Sequence, residues 1–313
     1  MDRRRFLLAA VAAPCALRKP PHALAAAPAL AFVTADTEAH VAVVDLVSGT
    51  VLRRIPTRPD PFSIERVGDT AVVAHTTVGV VSVLERRTQT VRDTLDGFEE
   101  PRYAAAAGDG RHAFVTDSGR VEVATVDVVR GEVVARLRLW QWPRHLSLSR
   151  DGRTLWIGLG TASQELAVVD VSSPARPRLR GKVRPGFPAH DVGFAPSGRA
   201  WVTSGAEQTI AVYGEGGFRR LAADAPPQHV TFLDGRAFVT SGADGTLRVY
   251  DEQRLRLLRM TRIPIGSYNV QYAAGRVITP SLDRGTLCVL DRQGRVLERA
   301  RVAASSHDAC LAQ

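Results

Sequence analysis

Lysine and recognisable catalytic motifs are nearly absent from this chain of 313 residues. Lys19 and Lys182 are its only lysines, and its arginines are spread too evenly to form the basic patch that nucleic acid requires. No Cys-x-x-Cys-His motif occurs, which excludes covalently attached c-type haem. Phosphate-binding glycine loops and the Gly-x-Ser-x-Gly nucleophile motif are also missing. We therefore expect no nucleic-acid partner and no enzyme of these motif-defined classes.

Apolar stripes at helical spacing are missing as well. The apolar residues, 45% of the chain, fall in short β-branched runs of four to six residues that end at Gly, Asp, Ser or Pro. The apolar run over residues 7–13 is too short to cross a bilayer, so we expect no transmembrane segment in the mature chain. The pattern predicts an all-β protein.

The first 27 residues differ in character from the rest. Arg3-Arg4-Arg5-Phe6-Leu7 opens them, an apolar run follows over 7–13, and Ala25-Ala26-Ala27 offers a small-residue cleavage point. The Arg-Arg-x-Phe-Leu core resembles the twin-arginine export signal. The sequence thus predicts a signal peptide over residues 1–27, cleaved near Ala25–Ala27, and a periplasmic or secreted domain over residues 28–313.

The cysteines and the net charge add two expectations about the exported chain. Pro14 precedes Cys15 where a lipidation motif needs a small residue, so we expect no lipid anchor. Residues 1–25 carry five basic side chains and one acidic one, so their removal lowers the net charge from +9 to +5. An oxidising compartment would permit a disulfide between Cys288 and Cys310, but nothing in their spacing shows that they meet.

A short strand signature recurs seven times. Its copies begin 40, 42, 42, 45, 37 and 40 residues apart. The copies are Ala31-Phe32-Val33-Thr34, Ala71-Val72-Val73-Ala74, Ala113-Phe114-Val115-Thr116, Leu155-Trp156-Ile157-Gly158, Ala200-Trp201-Val202-Thr203, Ala237-Phe238-Val239-Thr240 and Val277-Ile278-Thr279-Pro280. A second signature such as Val41-Ala42-Val43-Val44-Asp45 follows about ten residues later, and two further strands complete each copy.

Four short strands per forty residues, repeated seven times, predict a seven-bladed β-propeller with four antiparallel strands in each blade. A single sheet of this size cannot bury both of its faces, so the seven sheets pack around a central axis and bury their faces against each other. The repeat begins at a second strand, Ala31, and the chain ends at what reads as a first strand, 308–311. We therefore expect the C-terminal strand to lie innermost in the N-terminal blade and to close the ring.

The paired signatures resemble those of the YVTN-repeat, or YncE-like, seven-bladed propellers, and the likeness covers residues 30–313. The family's Tyr-Val-Thr-Asn stands here as Phe-Val-Thr or Trp-Val-Thr. These residues are architectural, so the resemblance implies the fold and leaves the activity open. Seven-bladed relatives include lactonases and subunits of periplasmic amine dehydrogenases, and haem d1-binding propellers share similar repeats.

The repeat predicts which side chains meet at one mouth of the central channel. The residue pairs that begin the innermost strands are Phe62-Ser63, Arg102-Tyr103, Arg144-His145, His190-Asp191, Gln228-His229, Tyr268-Asn269 and His307-Asp308. Half of the eight histidines fall at these equivalent positions. Imidazoles beside carboxylates suit a divalent metal. The candidate ligands are His145, His190, His229 and His307, with Asp191 and Asp308 near them.

Two other interpretations of the mouth stay open. Arg102 and Arg144 would hold an anionic ligand, because a guanidinium fork matches a carboxylate or a phosphate. Alternatively, polar residues at strand starts satisfy backbone groups and line a water-filled tunnel. Aromatic residues on the same face mark a candidate recognition surface. They are Tyr103, Tyr268, Trp140 and Trp142.

These patterns favour an exported, non-enzymatic propeller that binds a small molecule or an envelope protein partner at the mouth. The alternative is an enzyme or cofactor-handling protein that uses the histidines and aspartates as metal ligands or general bases. A structural role as an assembly platform is a third hypothesis. The sequence identifies no ligand and no cofactor.

Overall fold

The computed structural model describes residues 29–312, and every regular element in that range is a β-strand. The strands form seven antiparallel sheets of four, here numbered as blades 1 to 7 in chain order. This confirms the predicted seven-bladed, four-stranded propeller. The predicted signal peptide, Cys15 and the cleavage point near Ala25–Ala27 lie outside the described residues.

Blades 1 to 4 are formed by the N-terminal half of the strands, together with the C-terminal strand, which joins blade 1. Blade 1 holds β1 (Leu30–Ala35), β2 (His40–Asp45), β3 (Val51–Pro56) and β28 (Ala309–Leu311). Blade 2 holds β4 (Pro61–Val67), β5 (Thr70–His75), β6 (Val80–Glu85) and β7 (Thr90–Leu95). Blade 3 holds β8 (Pro101–Ala106), β9 (His112–Asp117), β10 (Glu122–Asp127) and β11 (Glu132–Arg138), and blade 4 holds β12 (Pro143–Leu148), β13 (Thr154–Leu159), β14 (Leu166–Asp170) and β15 (Arg178–Val183).

Blades 5 to 7 repeat the same order from the innermost to the outermost strand. Blade 5 holds β16 (Asp191–Phe194), β17 (Ala200–Thr203), β18 (Thr209–Gly214) and β19 (Gly217–Ala222). Blade 6 holds β20 (Val230–Leu233), β21 (Arg236–Ser241), β22 (Thr246–Asp251) and β23 (Arg256–Arg262). Blade 7 holds β24 (Gln271–Ala273), β25 (Arg276–Ser281), β26 (Thr286–Leu290) and β27 (Val296–Arg301).

The C-terminal strand closes the ring, as predicted. β28 is the innermost strand of blade 1 and pairs with β1, so that Phe32 lies opposite Cys310. The Thr34 hydroxyl accepts the backbone N–H of Asp308 at 2.9 Å and donates to the carbonyl of the same residue at 3.2 Å. Because the first and last strands of residues 29–312 share one sheet, neither leaves an unpaired edge at the axis.

The recurring aromatic and threonine of the strand signature have separate structural roles. Phe32, Phe114, Trp201 and Phe238 are fully buried between blades, where each large side chain adds about 1.5–3 kcal/mol of hydrophobic stabilisation. Threonine hydroxyls of the signature, at its last position in four copies and at its third in the copy with Thr279, bond to the start of an innermost strand. Five blades carry this threonine: Thr34, Thr116, Thr203, Thr240 and Thr279.

The two cysteines of the described part of the chain are unpaired. Cys288 and Cys310 are both buried, in the cores of different blades, and no disulfide joins them. Burial raises the pKa of the Cys288 thiol to about 11 and that of Cys310 well above its ordinary value. No stretch of residues 29–312 forms a helix long and apolar enough to cross a bilayer.

The closure predicts a measurable effect of the Thr34 hydroxyl. Thr34→Val leaves the buried N–H of Asp308 without an acceptor, and we expect the free energy of unfolding to fall by about 1–3 kcal/mol. Urea denaturation measures the change. Thr50→Val, at an exposed turn position, is the matched control and should stay within about 0.5 kcal/mol of the wild type. Equal stabilities of the two variants would contradict this role.

Candidate metal and ligand site at the channel mouth

Two layers of side chains surround the axis where the innermost strands begin. We call the outer one the mouth layer, and it consists of Phe62, Arg102, Arg144, His190, Gln228, Tyr268 and His307. The inner one is the axial ring, and it consists of Ser63, Tyr103, His145, Asp191, His229, Asn269 and Asp308. In three blades the innermost strand starts with a β-bulge after a proline, which adds a residue to the strand start and re-aims its side chain.

Several members of the axial ring bond to the next blade. A carboxylate oxygen of Asp191 accepts the Val230 N–H at 3.1 Å, and Asp308 accepts the Ile64 N–H at 3.1 Å. Asn269 donates its amide to the His307 carbonyl at 2.8 Å. These bonds satisfy buried backbone groups between blades, so part of the polar ring has the structural role that the sequence left open.

Three histidines from consecutive blades converge on one point. We call His145, His190 and His229 the histidine trio; one ligand nitrogen from each lies within 4.8 Å of the other two. The ring centroids of His145 and His229 are 4.2 Å apart, and those of His145 and His190 are 4.9 Å apart. Gly205 makes room for this arrangement, since a Cβ there would lie 2.6 Å from His190.

The tautomer of His145 is set by its surroundings. Its Nδ1 donates to the His190 carbonyl at 2.7 Å, so Nε2 is the unprotonated nitrogen of the neutral ring. That Nε2 is buried and has no hydrogen-bond partner among the described residues. A backbone carbonyl on one nitrogen and a free lone pair on the other is the arrangement found in metal-ligating histidines.

The trio is neutral at physiological pH. Burial lowers the pKa of His190 to about 3 and lowers those of His145 and His229 well below their ordinary range. For His145 the neighbouring His229 adds to the effect of burial. Neutral imidazoles are the form that binds a metal ion, so the burial keeps the ligands ready down to acidic pH.

His307 lies apart from the trio. Its ring stacks on Phe62 with centroids 3.9 Å apart, and its Nδ1 donates to the Phe62 carbonyl at 2.8 Å. Tyr103 stands between His307 and the trio, 6.2 Å from His307 and 3.8 Å from His145. The structure therefore brings three of the four candidate histidines together.

A cavity of about 280 Å³ follows the axial ring inside the channel. Its lining includes His145, His229 and three carboxyl groups. Burial raises the pKa of Asp191 and Asp308 from 3.8 to about 7, and that of Glu65 from 4.5 to about 8. Glu65 is not among the candidate site residues that the sequence predicts. It is the only charged residue at its position in the seven innermost strands, where the others are Ala105, Ser147, Gly193, Thr231, Gln271 and Cys310.

The remaining candidates lie at the mouth but not in the trio. Arg102 and Arg144 pack on Trp142, with guanidinium carbons 5.6 and 5.9 Å from the centroid of its ring. Trp140 is 40% exposed and donates its indole N–H to Glu165 at 3.0 Å. Tyr268 is half-buried and packs against Gly242, where a Cβ would lie 2.5 Å from its ring.

Comparison with known proteins shows similarity of fold at low sequence identity. No family model and no curated protein matches the chain. Hydrazine synthase from Kuenenia stuttgartiensis aligns with a TM-score of 0.72 and 16% identity over 84% of this chain and 92% of that one. Apo AztD from Citrobacter koseri aligns with a TM-score of 0.70 and 12% identity over 90% and 97%. The dihydro-haem d1 dehydrogenase NirN, in complex with DHE, gives 0.65 and 14% over 90% and 75%.

The raised pKa of Asp308 predicts a pH-dependent stability. Between pH 4 and 7 the folded state binds more protons than the unfolded state, so this carboxyl lowers the free energy of unfolding as the pH rises through that window. Asp308→Asn removes the titration. The free energy of unfolding of the variant, relative to that of the wild type, should rise by up to about 4 kcal/mol between pH 4 and pH 7. This corresponds to a pKa shift of about three units.

Urea unfolding at pH 4, 5.5 and 7 measures this difference. The control is Asp96→Asn, at an exposed position, whose stability should run parallel to the wild type across the series. A parallel curve for Asp308→Asn as well would show that its carboxyl does not change protonation in this window.

Proposed function

We propose that this chain is an exported, non-enzymatic propeller that binds a divalent transition-metal ion at the histidine trio. The observation that carries the proposal is the buried Nε2 of His145, which has no partner among the described residues and points into a group of three ligand nitrogens. The structural role of the axial ring accounts for Nδ1 of His145 but not for this second nitrogen.

The ligand chemistry favours one class of metal. Three neutral imidazoles suit zinc, copper and nickel, whereas calcium and magnesium prefer oxygen ligands. Two nitrogens that share a zinc ion at its usual bond length lie about 3.3 Å apart, so the rings close slightly around the ion by side-chain rotation. Asp191, 3.5 Å from Nδ1 of His229, is placed to orient that ring.

Export and location form part of the same proposal. The twin-arginine-like segment at residues 1–27 supports delivery of the folded domain to the periplasm or beyond. A small molecule or an envelope protein that receives or supplies the metal would approach from the side of the mouth layer.

Zinc titration tests the proposal. We expect the metal-free protein to bind one zinc ion per chain by isothermal titration calorimetry, and His145→Ala and His229→Ala to weaken the binding at least tenfold, because each removes one of three ligands. Calcium at the same concentration should give no binding heat.

His112→Ala is the control for these variants. His112 begins β9, at the end of the propeller away from the trio, and bonds to Asp109. We expect it to bind zinc as the wild type does. Undiminished zinc binding by the two trio variants, or no binding by the wild type, would refute the metal site.

The enzymatic alternative has a specific observation in its favour. Three protein ligands leave a fourth coordination position open, which is the pattern of zinc sites that activate water. NirN, a dehydrogenase solved in complex with DHE, has a similar fold, so this fold is compatible with enzymatic activity. If the zinc-loaded protein hydrolyses a lactone and the His145→Ala variant does not, the protein is a hydrolase and not only a metal-binding protein.

A further inference from the structure

Two arginines of the mouth layer form a second cluster, outside the histidine trio. Arg102 and Arg144 stand at equivalent positions of blades 3 and 4, directly after Pro101 and Pro143. Both belong to bulged strand starts, since the pairing register shifts between Pro101 and Ala104 and again between Pro143 and Leu146. A bulge turns one extra side chain out of the ladder, and here each one carries a guanidinium.

Hydrogen bonds from the preceding blade hold each of these two bulges in place. Thr76 donates its hydroxyl to the Pro101 carbonyl at 2.7 Å, and Ser118 donates to the Pro143 carbonyl at 2.7 Å. Prolines fix the backbone at the start of each of these two strands. The two arginines therefore project from rigid, matched supports, as a recognition site requires.

Trp142 holds both guanidinium groups on one side of the mouth. Their central carbons lie 5.6 and 5.9 Å from the centroid of the Trp142 ring, and Arg102 also lies 6.0 Å from the ring of Phe62. A guanidinium beside an aromatic face is partly dehydrated, and the donors along its planar edge can still form hydrogen bonds.

This cluster has little negative charge in direct contact with it, since Asp191 acts on Arg144 only from beyond 4 Å. Among the described residues no carboxylate lies within 4 Å of Arg144, and Arg102 has only Glu100, at 3.7 Å, whose side chain is half exposed. The Nε atoms of both arginines are buried and have no hydrogen-bond partner in residues 29–312. Two like charges with unsatisfied donors are costly to hold together, and an anion between them would relieve both the repulsion and the missing bonds.

We infer that Arg102, Arg144 and Trp142 form a binding site for a small organic dicarboxylate at the mouth. A planar carboxylate matches the two in-plane donors of a guanidinium fork, and each of two forks takes one carboxylate. Neither arginine lines the channel cavity, so the ligand reaches the site from solvent. The inference does not depend on the proposed metal site.

Calorimetry with succinate on the metal-free protein tests the inference. At constant low ionic strength we expect the wild type to bind succinate, and Arg102→Gln and Arg144→Gln each to weaken binding at least tenfold. Arg256→Gln, at an exposed position of β23, is the control and should bind as the wild type does. Absence of succinate binding by the wild type, or equal binding by the Arg144→Gln variant, would overturn the inference.

Two further binding measurements distinguish a dicarboxylate from other anions. Arg144→Lys keeps the charge and loses the fork, and we expect succinate binding at least fivefold weaker than in the wild type. Sulfate at the same concentration should bind at least tenfold more weakly than succinate. Equal binding by the lysine variant, or of sulfate, would show an unselective attraction of anions and would overturn the assignment to a dicarboxylate.

Discussion

The pairing of β28 with β1 is the constraint on which the rest of the structure depends. It joins the first and last strands of the described residues in one sheet and places Asp308 against Ile64 of the next blade. Hydrophobic packing of blade 7 against blade 1 reinforces this pairing, and in the closed ring the strand starts of blades 3 to 6 face a common axis. The mouth layer, the axial ring and the channel cavity are all products of this closure.

Most of the fold could be predicted because the repeat is visible directly in the chain. Phe32 and Thr34 show why: the aromatic fills the gap between blades, and the threonine bonds to the start of the innermost strand. Four blades carry the fully buried aromatic and five carry the threonine, so the signature recurs around most of the ring. Ala74 and Gly158 stand where other copies have the threonine, but the bulges do not follow this difference, since β8 begins with a bulge in a blade that carries Thr116.

The site could be predicted only in part. Equivalent positions in the repeat placed four histidines at one opening, but spacing along the chain gives no distance across an axis. His145, His190 and His229 belong to three consecutive blades and meet, while blade 7 with Asn269 separates His307 from His229. The bulges that direct Arg102 and Arg144 depend on backbone register, which the residue pattern does not encode.

The two isolated thiols have a consequence for how the chain matures. Buried thiols with raised pKa values form little thiolate, and thiolate is the species that oxidants attack. In the folded domain, Cys288 and Cys310 therefore react slowly with oxidants, in the cytoplasm as in the envelope. Since no disulfide joins residues 29–312, the folded domain has the same covalent connections in a reducing and in an oxidising compartment.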